Sequence, residues 1–348
     1  MKIGITQGDV NGIGYEVIMK ALQDTEIIDD LIPIIYGSPK AAAYHRKALN
    51  IAQFSLNNIN TPEEAHPKRV NILTCGDDNI KVELGKSSQA AGMAAFEALE
   101  AAVRDLSDGK IDAVVTAPIN KKNIQNENFH FPGHTEYLEQ AAQAPALMLL
   151  VAGKLRVGVV AGHVPISQVA QYITQDRILS KLRILNRSLR QDFNIDGPRI
   201  AVLGLNPHSG DHGLLGSEEE TIIGPAIEKA QAEGICAMGP YPADGLFGSD
   251  SLGKFDAILA MYHDQGLAPF KALAFTSGVN FTAGLPIVRT SPDHGTAYDI
   301  AGQDKADPTS MREAIYLAMD IVRNRRINQE LEANKLTTTV EARTERNA

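Results

Sequence analysis

The sequence predicts an α/β fold in which two α/β/α lobes with mostly parallel sheets surround a cleft. Short apolar runs alternate with longer stretches of helical periodicity along the 348 residues, as expected when strands are followed by helices. Several runs are apolar at successive positions, which is typical of strands covered on both faces. No Pro- or Gly-rich linker divides the chain, so we expect interleaved lobes rather than separate domains in a row.

The individual elements are predicted from the local pattern, taken in chain order. Runs such as KIGIT and RVGVVAG predict strands, which comprise residues 2–6, 31–37, 112–118, 147–153, 156–162, 199–205 and 255–262. The intervening stretches predict helices at residues 14–22, 89–106, 178–193, 218–233 and 309–328. In the second helix, alanines recur with Phe96 and Leu99 to form one apolar face. The polar stretch 335–348 predicts a loosely held tail.

The composition limits the classes of function. A formal net charge of −9 argues against sequence-independent binding of nucleic acid, which depends on cationic side chains. Cys75 and Cys236 lie far apart and form no CxxC motif, which disfavours a disulfide framework or a thiolate zinc site. The apolar run 146–153 is too short to span a bilayer, and the first residues do not resemble a signal peptide. We therefore expect a cytoplasmic protein without nucleic-acid or membrane partners.

Three histidines come directly after predicted strands. The runs VGVVAGH, IAVLGLNPH and DAILAMYH end at His163, His208 and His263. If these strands are parallel neighbours, their carboxyl ends meet at the ligand-binding edge of the sheet, and the three imidazoles could converge on one ion. Neutral imidazoles suit zinc, cobalt, nickel or iron better than magnesium or calcium. The alternative for any one histidine alone is a hydrogen-bonded structural residue.

A second group of polar residues predicts an anion pocket. Lys271, Asn280 and Arg289 lie between His263 and the last predicted helix. His134 and Thr135 lie where another helix is expected to start, and free backbone N–H groups there favour an anion. Lys supplies a point charge, Arg a planar fork, and Asn and Thr neutral hydrogen bonds, which together suit a phosphate or a carboxylate. The alternative is that the two cations are ordinary surface charges.

The glycine-rich segment GDVNGIGYEV (8–17) comes after the first predicted strand and opens a helix. Gly8, Gly12 and Gly14 permit tight turns and a close approach of the backbone to a ligand, although such a segment is often only a turn. The segment is neither GxGxxG nor a P-loop, and the chain has no usual dinucleotide fingerprint. These residues alone therefore assign no cofactor.

A series of motifs between Gly8 and Gly302 resembles the PdxA family of vitamin B6 synthesis, whose members are 4-hydroxythreonine-4-phosphate dehydrogenases. The motifs are GDVNGIGYE, VVTAPINK, FPGHTEYL, GHVPIS, GLNPHSGDHGLLGSEE, GPYPADGLF, AMYHDQGLAPFK and GVNFTAGLPIVRTSPDHGTAYDIAG. AMYHDQG and RTSPDHGTAYDIAG are highly specific. The resemblance implies a homodimer whose cleft is completed by the partner subunit. It also implies one divalent metal (zinc, cobalt, magnesium or manganese) on the three histidines above, and substrate contacts from His134, Thr135, Lys271, Asn280 and Arg289.

Two segments also resemble the isocitrate and isopropylmalate dehydrogenases, which bind NAD without a Rossmann fingerprint. GDVNGIGYEV is similar to their GDGIGPEV, and DHGTAYDIAG to their HGTAPDIAG, which contacts the adenosine end of the cofactor. This implies an isopropylmalate dehydrogenase-like fold and NAD or NADP as cofactor. The implied cofactor-side residues are His294, Gly295, Thr296, Ala297 and Asp299. The expected lobes are 1–125 plus 295–348 on the cofactor side, and 126–294 on the metal, substrate and dimer side.

The chain departs from the family pattern at several positions. The usual GDPAGIGPE is GDVNGIGYE here, so Val10 and Asn11 replace Pro-Ala and Tyr15 replaces Pro. DHGLLG (211–216) replaces an acidic-glycine run, and Gly245 replaces the Thr of ADT. None of these changes removes an implied ligand. They leave the substrate open, because relatives oxidise phosphorylated threonate or erythronate.

The reaction implied by the resemblance is the NAD-dependent oxidation of 4-phosphooxy-L-threonine to 2-amino-3-oxo-4-phosphooxybutanoate, which decarboxylates to 3-amino-2-oxopropyl phosphate. The alternatives are a dehydrogenase of 4-phospho-D-threonate or 4-phospho-D-erythronate, a three-histidine metal hydrolase, and a non-catalytic sensor of phosphorylated metabolites. Asp264, next to His263, is the first candidate for the general base, and Asp244 is the second. Either could instead hold a ligand histidine by a hydrogen bond.

Overall fold

The computed structural model describes residues 1–23, 25–51 and 53–335. The twelve strands in these ranges are β1 Lys2–Thr6, β2 Ile32–Gly37, β3 Leu56–Ile59, β4 Val70–Thr74, β5 Ala113–Thr116, β6 Leu147–Ala152, β7 Leu155–Ala161, β8 Arg199–Leu203, β9 Cys236–Tyr241, β10 Ala257–Tyr262, β11 Val279–Ala283 and β12 Arg289–Pro292. The α-helices there are α1 Gly14–Leu22, α2 Thr25–Asp30, α3 Pro39–Ala48, α4 Gln89–Ser107, α5 His134–Ala142, α6 Val169–Tyr172, α7 Gln175–Gln191, α8 Gly224–Ala232, α9 Ala243–Phe247, α10 His263–Leu273 and α11 Thr309–Ala333.

The described strands form one sheet in the order β3-β4-β2-β1-β5-β12-β11-β6-β7-β10-β8-β9. Neighbouring strands are parallel except that β11 is antiparallel to both β12 and β6, and β6 is antiparallel to β7. The two antiparallel strands β11 and β6 thus join two parallel sets into a continuous sheet. The predicted α/β class with mostly parallel strands is confirmed. The division into lobes 1–125 plus 295–348 and 126–294 stays a prediction.

Both faces of the central strands are covered, as their continuous apolar runs predict. In β2, Ile35 packs in one core cluster and its neighbour Ile34 in a second, and both are fully buried. Val115 and Val114 of β5 divide between the same two clusters. Because successive side chains point to opposite faces of a sheet, each strand contributes to two layers of packing. This is the physical reason for the uninterrupted apolar pattern.

Most predicted elements coincide with observed ones, and the exceptions are informative. The seven predicted strands and the helices at 14–22, 89–106 and 309–328 are all present within a few residues of the expected bounds. The helix predicted at 218–233 begins with a π-helical turn, Glu219–Ile223, before α8. Strands such as β3 (LNNI) and β12 (RTSP) were not predicted, because they lack an apolar run. Most of the predicted tail, from residue 336 onward, lies outside the described residues.

Two further predictions concern the surface and the thiols. Across the described ranges, every helix is too short or too polar to cross a bilayer. Cys75 is buried, Cys236 is exposed, and both are free. Burial raises the pKa of the Cys75 thiol to about 12, with the nearby charge of Asp105 adding to the effect. This thiol is therefore protonated at neutral pH and behaves as part of the apolar core.

Candidate active site

A cavity of about 310 Å³ lies at the strand ends near the middle of the sheet. It brings together the five residues predicted to contact substrate with two of the predicted metal ligands and two of the predicted cofactor residues. These nine residues are His134, Thr135, Lys271, Asn280, Arg289, His163, His263, His294 and Gly295. Residues as far apart in the chain as Thr116 and Gly295 line the same space. Sequence-distant motifs therefore form one polar site.

The strands that precede the three histidines are neighbours, as the sequence predicted. β10 pairs in parallel with β7 on one side and with β8 on the other. Tyr262 lies opposite Ala161 in this register, so that His163 and His263 leave the sheet at the same edge. Their ring centroids are 5.9 Å apart.

Each of these two imidazoles is held by a carboxylate through Nδ1. His163 Nδ1 lies 2.8 Å from Glu136 Oε1, and His263 Nδ1 lies 2.6 Å from Asp264 Oδ1. When Nδ1–H donates to the carboxylate, Nε2 carries no proton and its lone pair is free. A metal ion requires this tautomer of the imidazole. Asp264 thus has the hydrogen-bonding position that was the alternative to a general base, and its role as base stays a prediction. Asp264 and Asp244, the second candidate, are both exposed, and neither lines the cavity.

The third histidine is elsewhere. His208 is exposed in the short turn Pro207–Gly210, with φ 52°, and does not line the cavity. In the part of the chain that the structure describes, no three His, Cys, Asp or Glu side chains are grouped so as to hold a metal ion. The buried carboxylate of Glu219 shapes this loop by accepting hydrogen bonds from the backbone N–H groups of Leu205 and Asn206, each at 2.7 Å. One chain therefore brings two of the predicted ligands together, and the three-histidine site stays a prediction.

Arg289 is a buried cation in the wall of the cavity. Its side chain is on β12, which pairs with β5, and the residue is only 2% exposed. The guanidinium donates to the hydroxyl oxygens of Thr116, at 2.6 and 3.0 Å, and Thr282, at 3.1 Å. Among the described residues it forms no ion pair, and burial lowers its pKa to about 9. A buried charge without a counter-ion is costly, so an anionic ligand would be strongly favoured here.

Several other polar atoms in this wall have no partner. His134 Nε2, Asn280 Oδ1 and His294 Nε2 are buried and make no hydrogen bond in the described structure. The pKa of His134 is well below its usual value because of burial and, secondarily, the charges of Arg289 and Lys121. This imidazole is therefore neutral at pH 7 and offers its ring nitrogens for hydrogen bonds. Buried polar groups normally have partners, so these atoms indicate where a ligand binds.

The structure adds four residues that the sequence did not single out. Lys121, Glu136, Thr116 and Asp293 all contact predicted site residues. Lys121 and Thr116 belong to VVTAPINK, Glu136 to FPGHTEYL, and Asp293 to SPDHG, so a signal was present in the motifs that carry the resemblance. Asp293 Oδ1 lies 3.4 Å from the ammonium of Lys271. Burial raises the pKa of Asp293, and the charge of Lys271 opposes that rise.

The predicted cofactor residues divide into two groups. His294 and Gly295 line the cavity, whereas Thr296, Ala297 and Asp299 do not. Thr296 instead packs on the glycine-rich segment: its carbonyl accepts from Ile13 N–H at 3.0 Å, and a Cβ on Gly12 would lie 2.7 Å from that oxygen. Gly12 therefore lets the glycine-rich segment approach the backbone of Thr296 closely.

A polar network fixes this contact between the two segments. Tyr298 donates to Asp9 Oδ2 at 2.6 Å, and Asn123 Nδ2 donates to the same oxygen at 2.8 Å. Asp9 Oδ1 accepts from the backbone N–H of Asn11 at 2.9 Å. We call Asp9, Asn11, Asn123 and Tyr298 the loop network. It holds the 294–299 segment against the segment after β1.

The departures from the family pattern near β1 have structural roles. The Asn11 side chain donates to Lys86 O at 2.8 Å and accepts from Glu83 N–H at 2.7 Å, which ties the loop before α4 to the loop network. Tyr15 is fully buried, and its hydroxyl lies 2.8 Å from Gln7 Oε1 and 2.9 Å from Ser38 O. Val10 is also fully buried. None of these three residues lines the cavity, so they do not alter its chemistry directly.

Comparison with known proteins agrees with this arrangement. A sequence profile described as "Pyridoxal phosphate biosynthetic protein PdxA" matches residues 29–318. A 4-hydroxythreonine-4-phosphate dehydrogenase of Bacteroides thetaiotaomicron is 54% identical over 339 residues, which cover 97% of this chain and 93% of that protein. A protein of Oceanobacillus iheyensis provisionally named D-threonate 4-phosphate dehydrogenase is 41% identical over 324 residues, covering 92% and 97%. The crystal structure of 4-hydroxythreonine-4-phosphate dehydrogenase from Klebsiella pneumoniae superposes with a TM-score of 0.81 at 38% identity, covering 92% and 98%.

Proposed function

The chain belongs to the PdxA family of pyridoxal phosphate biosynthetic proteins, and from this we propose that it oxidises 4-phosphooxy-L-threonine with NAD⁺. The product, 2-amino-3-oxo-4-phosphooxybutanoate, then decarboxylates to 3-amino-2-oxopropyl phosphate. The observation that carries the proposal is the cavity in which buried Arg289 has no counter-ion. A substrate with a phosphate and a carboxylate would supply the missing negative charge. The dehydrogenase names of the relatives argue against the hydrolase and sensor alternatives.

The residues of the cavity would bind and orient this substrate. Arg289 and Lys271 would hold its anionic groups, and Asn280 and neutral His134 would hydrogen-bond its polar atoms. Thr135 lies in the first turn of α5, where backbone N–H groups favour an oxyanion. Binding at both ends of a small molecule aligns the carbon between them, which lowers the entropic cost of reaching the transition state. The positions of these side chains, all from one chain, fit a role in orienting the substrate.

His163 and His263 fit a divalent metal ion, because carboxylates hold both Nδ1 atoms and both Nε2 atoms are then unprotonated, with that of His163 lying 3.4 Å from Lys121 Nζ. When bound, such an ion would act as a Lewis acid toward the substrate hydroxyl and toward the oxygen that gains charge during decarboxylation. Glu136 and Asp264 would keep the two imidazoles in the required tautomer. Asp264 is our first candidate for accepting the hydroxyl proton.

We propose that His208 completes the metal site from the second subunit of a homodimer. Its exposed position, outside the cavity of its own chain, supports this arrangement. A test is to mix two inactive variants, His163→Ala and His208→Ala, and allow the subunits to exchange. If each site uses His208 of the other subunit, hybrid dimers have one intact site, and about a quarter of wild-type activity should return. Mixtures that stay inactive after confirmed exchange would contradict a shared site.

NAD or NADP would bind along residues 294–299 and accept the hydride. His294 Nε2, buried without a partner at the edge of the cavity, and the exposed Gly295 and Asp299 fit a ligand at this position. The two free cysteines suit a reducing compartment, so we place the reaction in the cytoplasm.

The substrate is tested with a panel on protein of known metal content. NAD⁺ and NADP⁺ reduction should be measured with 4-phosphooxy-L-threonine, 4-phospho-D-threonate and 4-phospho-D-erythronate. We expect the first compound to give the highest kcat/KM, and a chelator to abolish the rate until a divalent metal is restored. The D-threonate relative supports the second candidate. If 4-phospho-D-threonate gave the highest kcat/KM, it would be assigned as the substrate in place of 4-phosphooxy-L-threonine. A rate that chelation leaves unchanged would exclude a role for a metal ion.

A further inference from the structure

The cavity contains a lysine that has no role in the function proposed above. Lys121 lies after β5 and lines the cavity, and its Nζ lies 3.4 Å from His163 Nε2. None of the ion pairs formed by the described residues includes Lys121. Lys271, by contrast, lies 3.4 Å from the carboxylate of Asp293. A cation in a ligand cavity without a carboxylate partner needs an explanation.

The side chains that line the cavity carry more positive charges than negative charges. Its Lys and Arg residues are Lys121, Lys271 and Arg289, and its one acidic residue among the described lining is Asp293. Asp293 pairs with Lys271, and Glu136, outside this lining, is a nearby carboxylate whose charge acts on both Lys121 and Arg289 without forming an ion pair with either. They occupy different surroundings, since Arg289 is buried against Thr116 and Thr282, whereas Lys121 is exposed beside His163. Lys121 and Arg289 are therefore two separate cationic positions, neither of which forms a direct ion pair with a described carboxylate.

Lys121 also lies beside the first turn of α5. A Cβ built on Gly133, the residue before this helix, would be 3.7 Å from Lys121 Cε. Gly133, the N-cap residue, has no side chain to cap this end of the helix, and Glu136 is the acidic residue of the first turn. The first N–H groups of a helix lack intrahelical acceptors, and they favour an anion as the ammonium does. The ammonium and the helix end therefore favour the same kind of ligand group.

We propose that Lys121 is a further substrate-binding residue that holds one of the two oxyanions of the substrate, in addition to the contacts from Arg289 and Lys271 proposed above. The proposal rests on the proposed function for the identity of the substrate, which carries a phosphate at one end and a carboxylate at the other. Two unpaired cations in separate parts of one cavity match two anionic groups in one molecule. Both oxyanions have the chemistry that a lysine recognises, and the experiment distinguishes them.

The loop around Lys121 offers a matched control. Lys122 is the next residue, is also exposed, and does not line the cavity. The backbone here is held independently of both ammonium groups: Gln125 Nε2 donates to Lys121 O at 3.0 Å, and Lys122 N–H donates to Asn120 Oδ1 at 2.9 Å. Replacing either lysine side chain should therefore leave the loop folded.

The test compares Lys121→Met, Lys121→Arg and Lys122→Met with the wild type. We measure kcat and KM for 4-phosphooxy-L-threonine and for phosphate-free 4-hydroxy-L-threonine, and calorimetric binding of 4-phosphooxy-L-threonine and 4-phospho-D-threonate without NAD. Lys121→Met should lower kcat/KM and affinity about tenfold to hundredfold, as expected for a lost charged hydrogen bond. Lys121→Arg should recover part of the loss, and Lys122→Met should match the wild type.

Each outcome decides the proposal. A loss confined to phosphorylated compounds assigns the phosphate to Lys121, and an equal loss with 4-hydroxy-L-threonine assigns the carboxylate. Wild-type behaviour of Lys121→Met overturns the proposal, as does loss of bound metal with unchanged substrate affinity, which would mean that Lys121 serves His163. If the wild type turns over none of the compounds, the proposed function fails, and the calorimetry still tests Lys121. Failure of both phosphorylated compounds to bind the wild type overturns both conclusions.

Discussion

The cavity and the loop network contain residues that are close in the chain, such as Lys121 and Asn123. They differ in whether their buried polar groups have partners within the protein. In the loop network, the carboxylate of Asp9 is buried and accepts from Asn11, Asn123 and Tyr298. One buried atom of the network, Asn123 Oδ1, has no partner. In the cavity, Arg289 has only hydroxyl partners, and His134 Nε2 and Asn280 Oδ1 have none.

The difference separates groups that stabilise the fold from groups that we propose bind a ligand. A polar network that is nearly satisfied internally contributes to the folded state and gains little from a ligand. A buried cation without a counter-ion destabilises the free protein and is compensated when an anion binds. Both regions contain sequence motifs of the same family, so motif membership alone does not tell the two roles apart. Substitutions that affect stability in one region and activity in the other would test this distinction.

The largest expected effect is on activity, from Arg289→Met in the cavity. Removing a buried charge that we propose binds the substrate should lower kcat/KM about 10²- to 10³-fold. The free energy of unfolding should stay the same or rise, because the variant no longer buries a charge without a counter-ion. Urea unfolding and steady-state kinetics measure both quantities, with exposed Arg187→Met on α7 as the control. A large loss of stability would place Arg289 among the structural residues.

A smaller effect, on stability, is expected from Asp9→Ala in the loop network. The substitution removes the acceptor that Asn11 N–H, Asn123 Nδ2 and the Tyr298 hydroxyl share, and should lower the free energy of unfolding by about 3 kcal/mol. Exposed Asp299→Ala, in the segment that the network holds, is the matched control and should change stability little. Chemical denaturation is the measurement. Wild-type stability for Asp9→Ala would remove the distinction between the two regions.

The smallest effect is expected from Tyr298→Phe. Loss of the hydroxyl, which donates to Asp9 and accepts from Asn120 Nδ2 at 3.1 Å, should lower the free energy of unfolding by about 1 kcal/mol, because Asp9 keeps its other two donors. Because the 294–299 segment is then held less firmly, its amides should exchange faster with solvent and KM for NAD⁺ should rise more than KM for the substrate. Hydrogen exchange by mass spectrometry and kinetics with each substrate varied test this. Unchanged exchange in residues 294–299 would contradict a positioning role.

Some of the site was accessible from local sequence. The apolar runs before His163 and His263 specify strands covered on both faces, and because these strands are parallel neighbours, both histidines lie at one edge of the sheet. Arg289 was harder to interpret, because β12 has the sequence RTSP and shows no apolar pattern. It is a strand because it pairs with β5, which is remote in the chain, and with antiparallel β11. The motifs predicted that Arg289 binds an anion, but not that it is buried.

By itself the sequence determined the α/β class, the order of most elements and nine of the residues that line the cavity. These depend on hydrophobic periodicity and on motifs, which are local properties of the chain. Only the tertiary structure decided which polar groups are partnered: it paired Glu136 with His163, left Arg289 and Lys121 without a direct ion pair, and placed His208 outside the cavity. Such pairings depend on distances between residues that are remote in the chain, and no local pattern encodes those distances.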